Sequence, residues 1–351
     1  MLEPKMASRK GFCVKVTEGK SYLWCSCGLS AKQPYCDGSH QGTQFLPVKY
    51  KAPRSEDVLF CGCKHTRQGP MCDGTHNNLP GGYQSDDPDS AENQQIKLVK
   101  ADAAGKTRLD NDCYVLSTSR AALTKRGTMA FCPIIGPALG ALYQSQFYAE
   151  YETGASPVIA ADGKHILVFV GEGDGEIEIS GHMFEFTRRS GIYVRPGEAF
   201  RIHNDSGKLI KLYISVAPGV DNLSWRDDMP AGFEAEFPDR VEEVDPTQRH
   251  AMAARFYQLL INKAHGSTVA TQFIGNIPPS KAEPHRHLYE EALIFLTGEG
   301  IVWTKASKTP VGPGDVLFLP AKQVHSVQCL GDKGMDVVGV IYPGDNPSIN
   351  Y

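Results

Sequence analysis

The sequence predicts a mainly β protein with few helices, a small cysteine-rich segment followed by two copies of one β-domain. Three observations carry this reading. A cysteine and histidine phrase is spelled twice within residues 25–76, short apolar runs broken by Gly and Pro fill the chain beyond residue 96, and those runs recur at a near-constant offset. Composition frames it: 351 residues, 41% hydrophobic and 22% charged, is ordinary for a folded chain of two or three domains at ~150 residues each. The 36 Lys and Arg nearly balance 40 Asp and Glu, with no basic run, so a nucleic-acid or membrane surface is not expected. No stretch reaches the ~18 apolar residues of a membrane span, and MLEPKMASRKGFCVKV lacks a signal-peptide core, so a cytoplasmic location is expected.

The two phrases are WCSCGLSAKQPYCDGSH and FCGCKHTRQGPMCDGTH. Cys25, Cys27, Cys36 and His40 form one set, and Cys61, Cys63, Cys72 and His76 form another, displaced by 36 residues at every member. Six of the ten cysteines fall here, which points to metal binding more than to disulfides. Three thiolates and one imidazole suit tetrahedral zinc. The CxC pair is tighter than usual zinc spacing and suits two thiolates sharing one iron of a cluster, while Asp-Gly after the third cysteine lets the chain turn the histidine back. Both phrases resemble the CDGSH iron-sulfur family, the mitoNEET-type proteins, over about residues 10–80. That resemblance implies a 2Fe-2S cluster on each set, hence two clusters on one tandem domain. A neutral histidine ligand raises the potential relative to all-thiolate ligation and makes His40 and His76 the acid-labile points. His65 has no counterpart in the first phrase and is expected to be exposed.

NNLPGGYQSDDPDSAENQQ then reads as a flexible linker. Beyond it, HILVFV, GEIEIS, GIYVRP, KLYISV, EALIFL and GDVLFLP are strand-like runs. HILVFVGEGDGEIEI matches EALIFLTGEGIVWT and GIYVRPGEAFRIHN matches GDVLFLPAKQVHSV, at offsets of 127 and 124 residues, so the β-domain is duplicated. The expected division is 1–80 for the cysteine-rich domain, 81–96 for the linker, 97–225 for the first β-domain and 226–351 for the second. DPTQRHAMAARFYQLLINKA between the copies carries Asp245 as an N-cap, Pro246 at the first turn and an apolar stripe of Met252, Phe256, Leu259 and Leu260. It is expected to be a helix braced on a barrel.

In the second copy, PHRHLYEEALIFLTGEG and GDVLFLPAKQVHSV supply HxH, a glutamate and a distant histidine. Alternation on a strand puts His285 and His287 on one face. Glu291 and His325 complete three imidazoles and a carboxylate, a set suited to Fe(II), Mn(II), Ni(II) or Zn(II); Glu290 competes with Glu291, and spacing favours Glu291. These motifs resemble the cupin superfamily, which implies a jelly-roll barrel for each copy, a mononuclear metal on His285, His287, Glu291 and His325, and a homodimer. Lys322 stands where the motif has glycine and Cys329 where it has asparagine. Aligning the copies puts Val158, Ala160, Lys164 and Arg201 opposite the four ligands, so the first cupin is expected to be metal-free, with His165 and His203 structural. Tyr289, Trp303 and Cys329 are candidate pocket residues.

The combination suggests an iron-dependent cupin oxidoreductase, an oxygenase acting on a small molecule, with the clusters passing electrons from a reductase or ferredoxin to Fe(II); Mn(II), Ni(II) and Zn(II) follow as the cupin metal. A redox sensor with ligand-binding cupins, and a non-redox isomerase or lyase with structural clusters, are the alternatives.

Overall fold

The computed structural model describes residues 2–82, 84–220, 222–344 and 346–351. The first 80 residues interlock two like halves. Strand Phe12–Val16 pairs antiparallel with Glu56–Phe60, and Ser21–Trp24 with Val48–Lys51, so each sheet joins one strand from each half. Short alternating runs such as FCVKV suit this, because one face packs and the other meets water. Trp24 crosses between halves, buried, with its Nε1 donating to the Cys61 carbonyl at 3.0 Å. The repeat is kept in the hydrogen bonds: Cys25 and Cys61 amides donate to the Pro34 and Pro70 carbonyls at 2.9 and 2.8 Å. The Asp37 and Asp73 carboxylates each accept two backbone amides across the Asp-Gly turn.

Among the described residues each β-domain is a barrel of two sheets, seven and six strands in the first, eight and four in the second. The large sheets stack back to back. Along His165–Glu172, Ile166, Val168 and Val170 point into the first barrel while Leu167 and Phe169 point into the seam between barrels, where they meet Leu260, Ile294 and Val338. A strand buried on both faces must be apolar at nearly every position, as HILVFV is.

The barrels exchange strands. Tyr114–Ser117 lies within 97–225 yet pairs with Asp315–Leu319 of the second barrel, and Val241–Glu242 lies beyond 226 yet pairs with Gly191–Val194 of the first. Lys97–Leu98 also joins the second barrel, parallel to Ser307–Val311. The chain therefore does not divide cleanly at 97 and 226. A buried ion pair, Arg240 to Glu198 at 2.7 Å, fastens the second crossing.

Two expectations are corrected. The segment from Asp245 is not a long helix: Asp245 caps one 3-10 turn, Pro246–Gln248, and the chain then forms the hairpin His250–Met252 and Arg255–Ile261. Leu260 and Ile261 face the seam while Tyr257 and Leu259 pack in the second barrel, so burial on both faces imitated a helical stripe. The two-residue turn is Ala253-Ala254, with Ala253 at φ 56°, and carries none of the Asn or Gly that announces such turns. The stretch 81–96 is not a free linker. Asp86 pairs with buried Lys281, Ser90 caps the short helix Ala91–Gln94, and Lys308 Nζ donates to the Asn93 carbonyl at 3.2 Å. Among the described residues no helix is long and apolar enough to cross a membrane.

Candidate metal centre and cluster sites

His285 and His325 face each other as a two-residue bridge, exchanging backbone hydrogen bonds at 3.0 and 2.9 Å, and His287 lies two residues on. Ligand atoms of these three imidazoles fall within 4.8 Å of one another. Each ring is oriented the same way. His285, His287 and His325 donate Nδ1–H to the carbonyls of Glu283, Ile349 and Gln323 at 2.8, 2.9 and 3.0 Å. A carbonyl can only accept, so the proton sits on Nδ1 and the Nε2 lone pairs are left to converge, the orientation that metal-binding histidines require.

Burial, followed by the neighbouring imidazoles, pushes His287 down to about 3 and His285 well below the usual histidine range. Burial also takes His325 down to about 4. All three rings are thus neutral donors at pH 7. Glu291 Oε2 lies 3.8 Å from His287 Nε2, and burial pushes its carboxyl up to about 7. A buried acid beside three neutral rings is a natural seat for a cation, whose charge would restore the carboxylate. Glu290 is not an alternative: it turns away, accepting the Leu142 and Tyr143 amides at 2.7 and 3.0 Å.

The three histidines and Glu291 open onto a cavity of about 90 Å³, walled by apolar Phe273, Leu293, Val327 and Val337 and by polar Arg255 and Asn350. Of the candidate pocket residues, Tyr289 stacks on His287 at 4.6 Å, outside the cavity wall. Trp303 and Cys329 lie away from it. The Trp303 Nε1 donates to Gln328 with Lys308 Nζ 4.0 Å above the ring, and the Cys329 thiol donates to the Gly331 carbonyl. Alternation turns Trp303 off the metal face, whereas Cys329 shares the face of His325 and Val327 but lies four residues along the strand, packed in the barrel core.

In the first barrel the register differs by one from the sequence alignment. Ile159 pairs with Phe200 where the second barrel pairs His285 with His325, and both fill the barrel interior beside Ile166, Ile177 and Ile202. Val158 and Ala160 lie on the other face, and Arg201 pairs with Glu178 at 3.6 Å. His203 also meets Glu178, and His165 meets the Tyr193 hydroxyl at 2.5 Å, so both are structural contacts.

The two cysteine sets are gathered as the spacing requires. Cys25 and Cys27 sulfurs lie 3.6 Å apart and Cys61 and Cys63 3.4 Å; Cys36 and Cys72 sulfurs lie 3.2 and 3.6 Å from Nδ1 of His40 and His76. Backbone amides point at the sulfurs, from Leu29 to Cys27 and Gly38 to Cys36 at 3.4 Å, and from Lys64 to Cys61 at 3.2 Å. Such donors favour thiolates over thiols, as cluster ligation needs. The hydrogen bond from Cys63 brings Cys61 down to about 6, while that same bond and burial push Cys63 up, so the bare pair shares one proton. Buried Lys64 adds a cation between the sets, its Nζ 4.8 Å over Trp24. His65 is half-buried, not exposed, its ring on the Cys63 carbonyl at 2.7 Å.

Residues 346–351 join the two centres, and no motif flagged them. His76 Nε2 donates to Asn350 Oδ1 at 3.1 Å, Asn77 Nδ2 to the Ser348 carbonyl at 2.7 Å, and Arg286 and Tyr351 exchange backbone bonds at 3.2 and 3.1 Å. His76 and His285 wall one cavity of about 20 Å³, room for a water molecule. The contacts use main-chain atoms and an unremarkable Asn, so residue type gave no signal.

Comparison with known proteins supports both halves. Residues 3–41 match the iron-binding zinc finger of CDGSH type and residues 273–341 match the cupin domain. The human mitochondrial CDGSH iron-sulfur domain-containing protein 3 is 51% identical over 47 residues, 13% of this chain and 37% of that protein, so the match spans little more than a third of the relative. Its mouse counterpart is 44% identical over 52 residues, 14% of this chain and 38% of that protein. Among solved structures, a mutant salicylate 1,2-dioxygenase from Pseudoaminobacter salicylatoxidans in complex with gentisate aligns with TM-score 0.54 at 11% identity, over 66% of this chain and 82% of that one. Protein Ylba from E. coli aligns with TM-score 0.53 at 12% identity, over 73% and 99%. Oxalate decarboxylase from Lactobacillus farciminis aligns with TM-score 0.51 at 13% identity, over 66% and 87%. These identities show the fold alone. The chain thus has a CDGSH-type match near its start, a cupin-domain match in its second barrel and a two-barrel fold similar to those structures.

Proposed function

We propose that the protein is an iron-dependent cupin oxidoreductase, an oxygenase of a small molecule, whose 2Fe-2S clusters supply electrons to the metal centre. The observation that carries this is the shared cavity between His76 of the second cysteine set and His285 of the histidine site. Two redox groups held on those residues would be close neighbours. His285, His287, His325 and Glu291 would hold Fe(II), which supplies Lewis acidity and open coordination positions for substrate or oxygen. The two cysteine sets would each hold one cluster, a one-electron carrier refilled by an external donor of the ferredoxin or reductase class, with dioxygen the final acceptor.

The chain's own groups do the rest. Backbone carbonyls keep the three imidazoles aimed, and burial keeps them neutral. The apolar wall excludes bulk water, and Arg255 offers one cation to an anionic group of the substrate.

The test is anaerobic metal and sulfide analysis of the wild type beside a His285→Ala, His287→Ala double variant, with stopped-flow oxidation of the dithionite-reduced clusters by oxygen. About five irons and four sulfides per chain, with slower cluster oxidation in the variant, support the proposal. Four irons and unchanged oxidation overturn it.

A further inference from the structure

A single peptide unit, Ile349–Asn350, touches a ligand of each centre. The Ile349 carbonyl accepts Nδ1–H of His287 at 2.9 Å, and the Asn350 side chain accepts Nε2–H of His76 at 3.1 Å while lining the cavity at the three histidines. His76, Ile349 and Asn350 are all buried, His76 to 2% exposure. The unit is clamped from both sides. A Cβ placed on Gly74 would sit 2.1 Å from Ser348 Oγ, Asn346 Nδ2 donates to the Asp73 carbonyl at 3.4 Å, and Tyr351 is laced to Arg286, the residue between the two metal-site histidines. A close-packed element of this kind cannot shift at one end without moving the other. The first cysteine set lacks the clamp: His40 is half-exposed, and a Cβ on Gly38 would meet nothing within 4 Å.

We infer that Ile349–Asn350 couples the two centres, Asn350 acting as a positioning residue, so that filling the cupin site changes the electronic properties of the second cluster and leaves the first unchanged. The inference rests on the reading that both groups bind at these residues, and not on electron delivery between them. The physical basis is that groups hydrogen-bonded to the far nitrogen of a ligating imidazole set its donor strength and orientation. Linkage then makes the effect reciprocal: the oxidation state of the second cluster must alter metal affinity at the cupin site by the same factor.

The experiment uses the full chain with reconstituted clusters and Zn(II), a redox-inert occupant, in an anaerobic potentiometric titration followed by electron paramagnetic resonance. The second cluster is assigned from a His76→Cys variant, in which the added thiolate lowers its potential. Zinc is expected to shift the midpoint of that cluster alone, and zinc affinity to differ about fivefold or more between oxidised and reduced protein. In Asn350→Leu, with clusters and zinc retained, the shift is lost and the affinities converge to within about twofold. Should Asn350→Leu lose a cluster, Asn350→Asp keeps the acceptor and adds a charge: the second midpoint falls, the first does not, and the zinc effect persists. Equal shifts in both clusters, no shift despite stoichiometric zinc, a wild-type response from Asn350→Leu or an unmoved midpoint in Asn350→Asp each overturn the inference. A zinc-dependent shift together with unchanged oxygen kinetics would sustain the coupling while removing the oxygenase reading.

Discussion

The two cysteine and histidine sets are spelled almost alike and folded alike, yet one opens to solvent and the other is sealed against the second barrel. Cys36 and His40 are half-exposed, whereas Cys72 and His76 are buried beneath residues 346–351. The difference lies in what covers each motif, not in the motif. It assigns the halves different tasks in the proposed function, with the first set facing an external donor and the second facing the cupin.

The sharpest way to break this asymmetry is a methyl group. Gly38 and Gly74 both have left-handed backbone, at φ 98° and 82°, so alanine strains either by about 1 kcal/mol. Only at Gly74 does the methyl also collide with Ser348. Gly74→Ala is expected to cost about 3 kcal/mol and to loosen the docked domain, Gly38→Ala about 1 kcal/mol, as read by denaturant unfolding with visible absorbance of the clusters. Equal losses would mean that the clamp is not rigid.

Acid gives the next effect. Burial holds His76 below the ordinary histidine value, so its folded pKa is depressed. A depressed histidine contributes stability above its unfolded pKa, ~6.5, and that contribution is lost as pH falls through the folded value. Bleaching at the second site on acidification should therefore set in only below pH ~6.5, as read by visible absorbance. A bleaching curve left unmoved by His76→Cys would count against the assignment.

A smaller effect is expected at Lys322, which occupies φ 68° where the cupin motif has glycine and reaches across to pair with Asp57 of the first domain. In Lys322→Gly, relief of about 1 kcal/mol of backbone strain roughly offsets the lost ion pair, so overall stability stays level. Hydrogen exchange should nevertheless rise along Glu56–Phe60 as the docking contact goes. Smallest is Arg9→Ala, which removes a partly exposed pair to Glu283 at 3.1 Å and should cost less than about 1 kcal/mol, vanishing at high salt.

How much of this could be read from sequence follows from the physics of each feature. Cys25 to His76 and His285 to His325 were legible because ligation demands particular atoms at particular spacings. That the first barrel carries apolar residues at the positions matching His285 and His325 was legible as a loss of those atoms, but its register was not. Reading Val158 for Ile159 is a slip of one residue, and on a strand that exchanges the two faces. The segment from Arg255 to Ile261 misled because a strand between two cores has no alternation to show. Residues 346–351 were illegible because Ile349 acts through a carbonyl that every residue possesses.

The exchange of strands between barrels carries a cost in time. Tyr114–Ser117 leaves the ribosome roughly two hundred residues before Asp315–Leu319, a delay of about 10–40 s at usual elongation rates. Through that interval the first barrel can close, but the nascent chain holds an apolar strand paired only with Lys106–Arg108, its other edge awaiting Asp315–Leu319. The duplication thus ties the maturation of the earlier metal-binding segment to the last strands made, because the groove that receives His76 and the barrel that captures Tyr114–Ser117 are completed together.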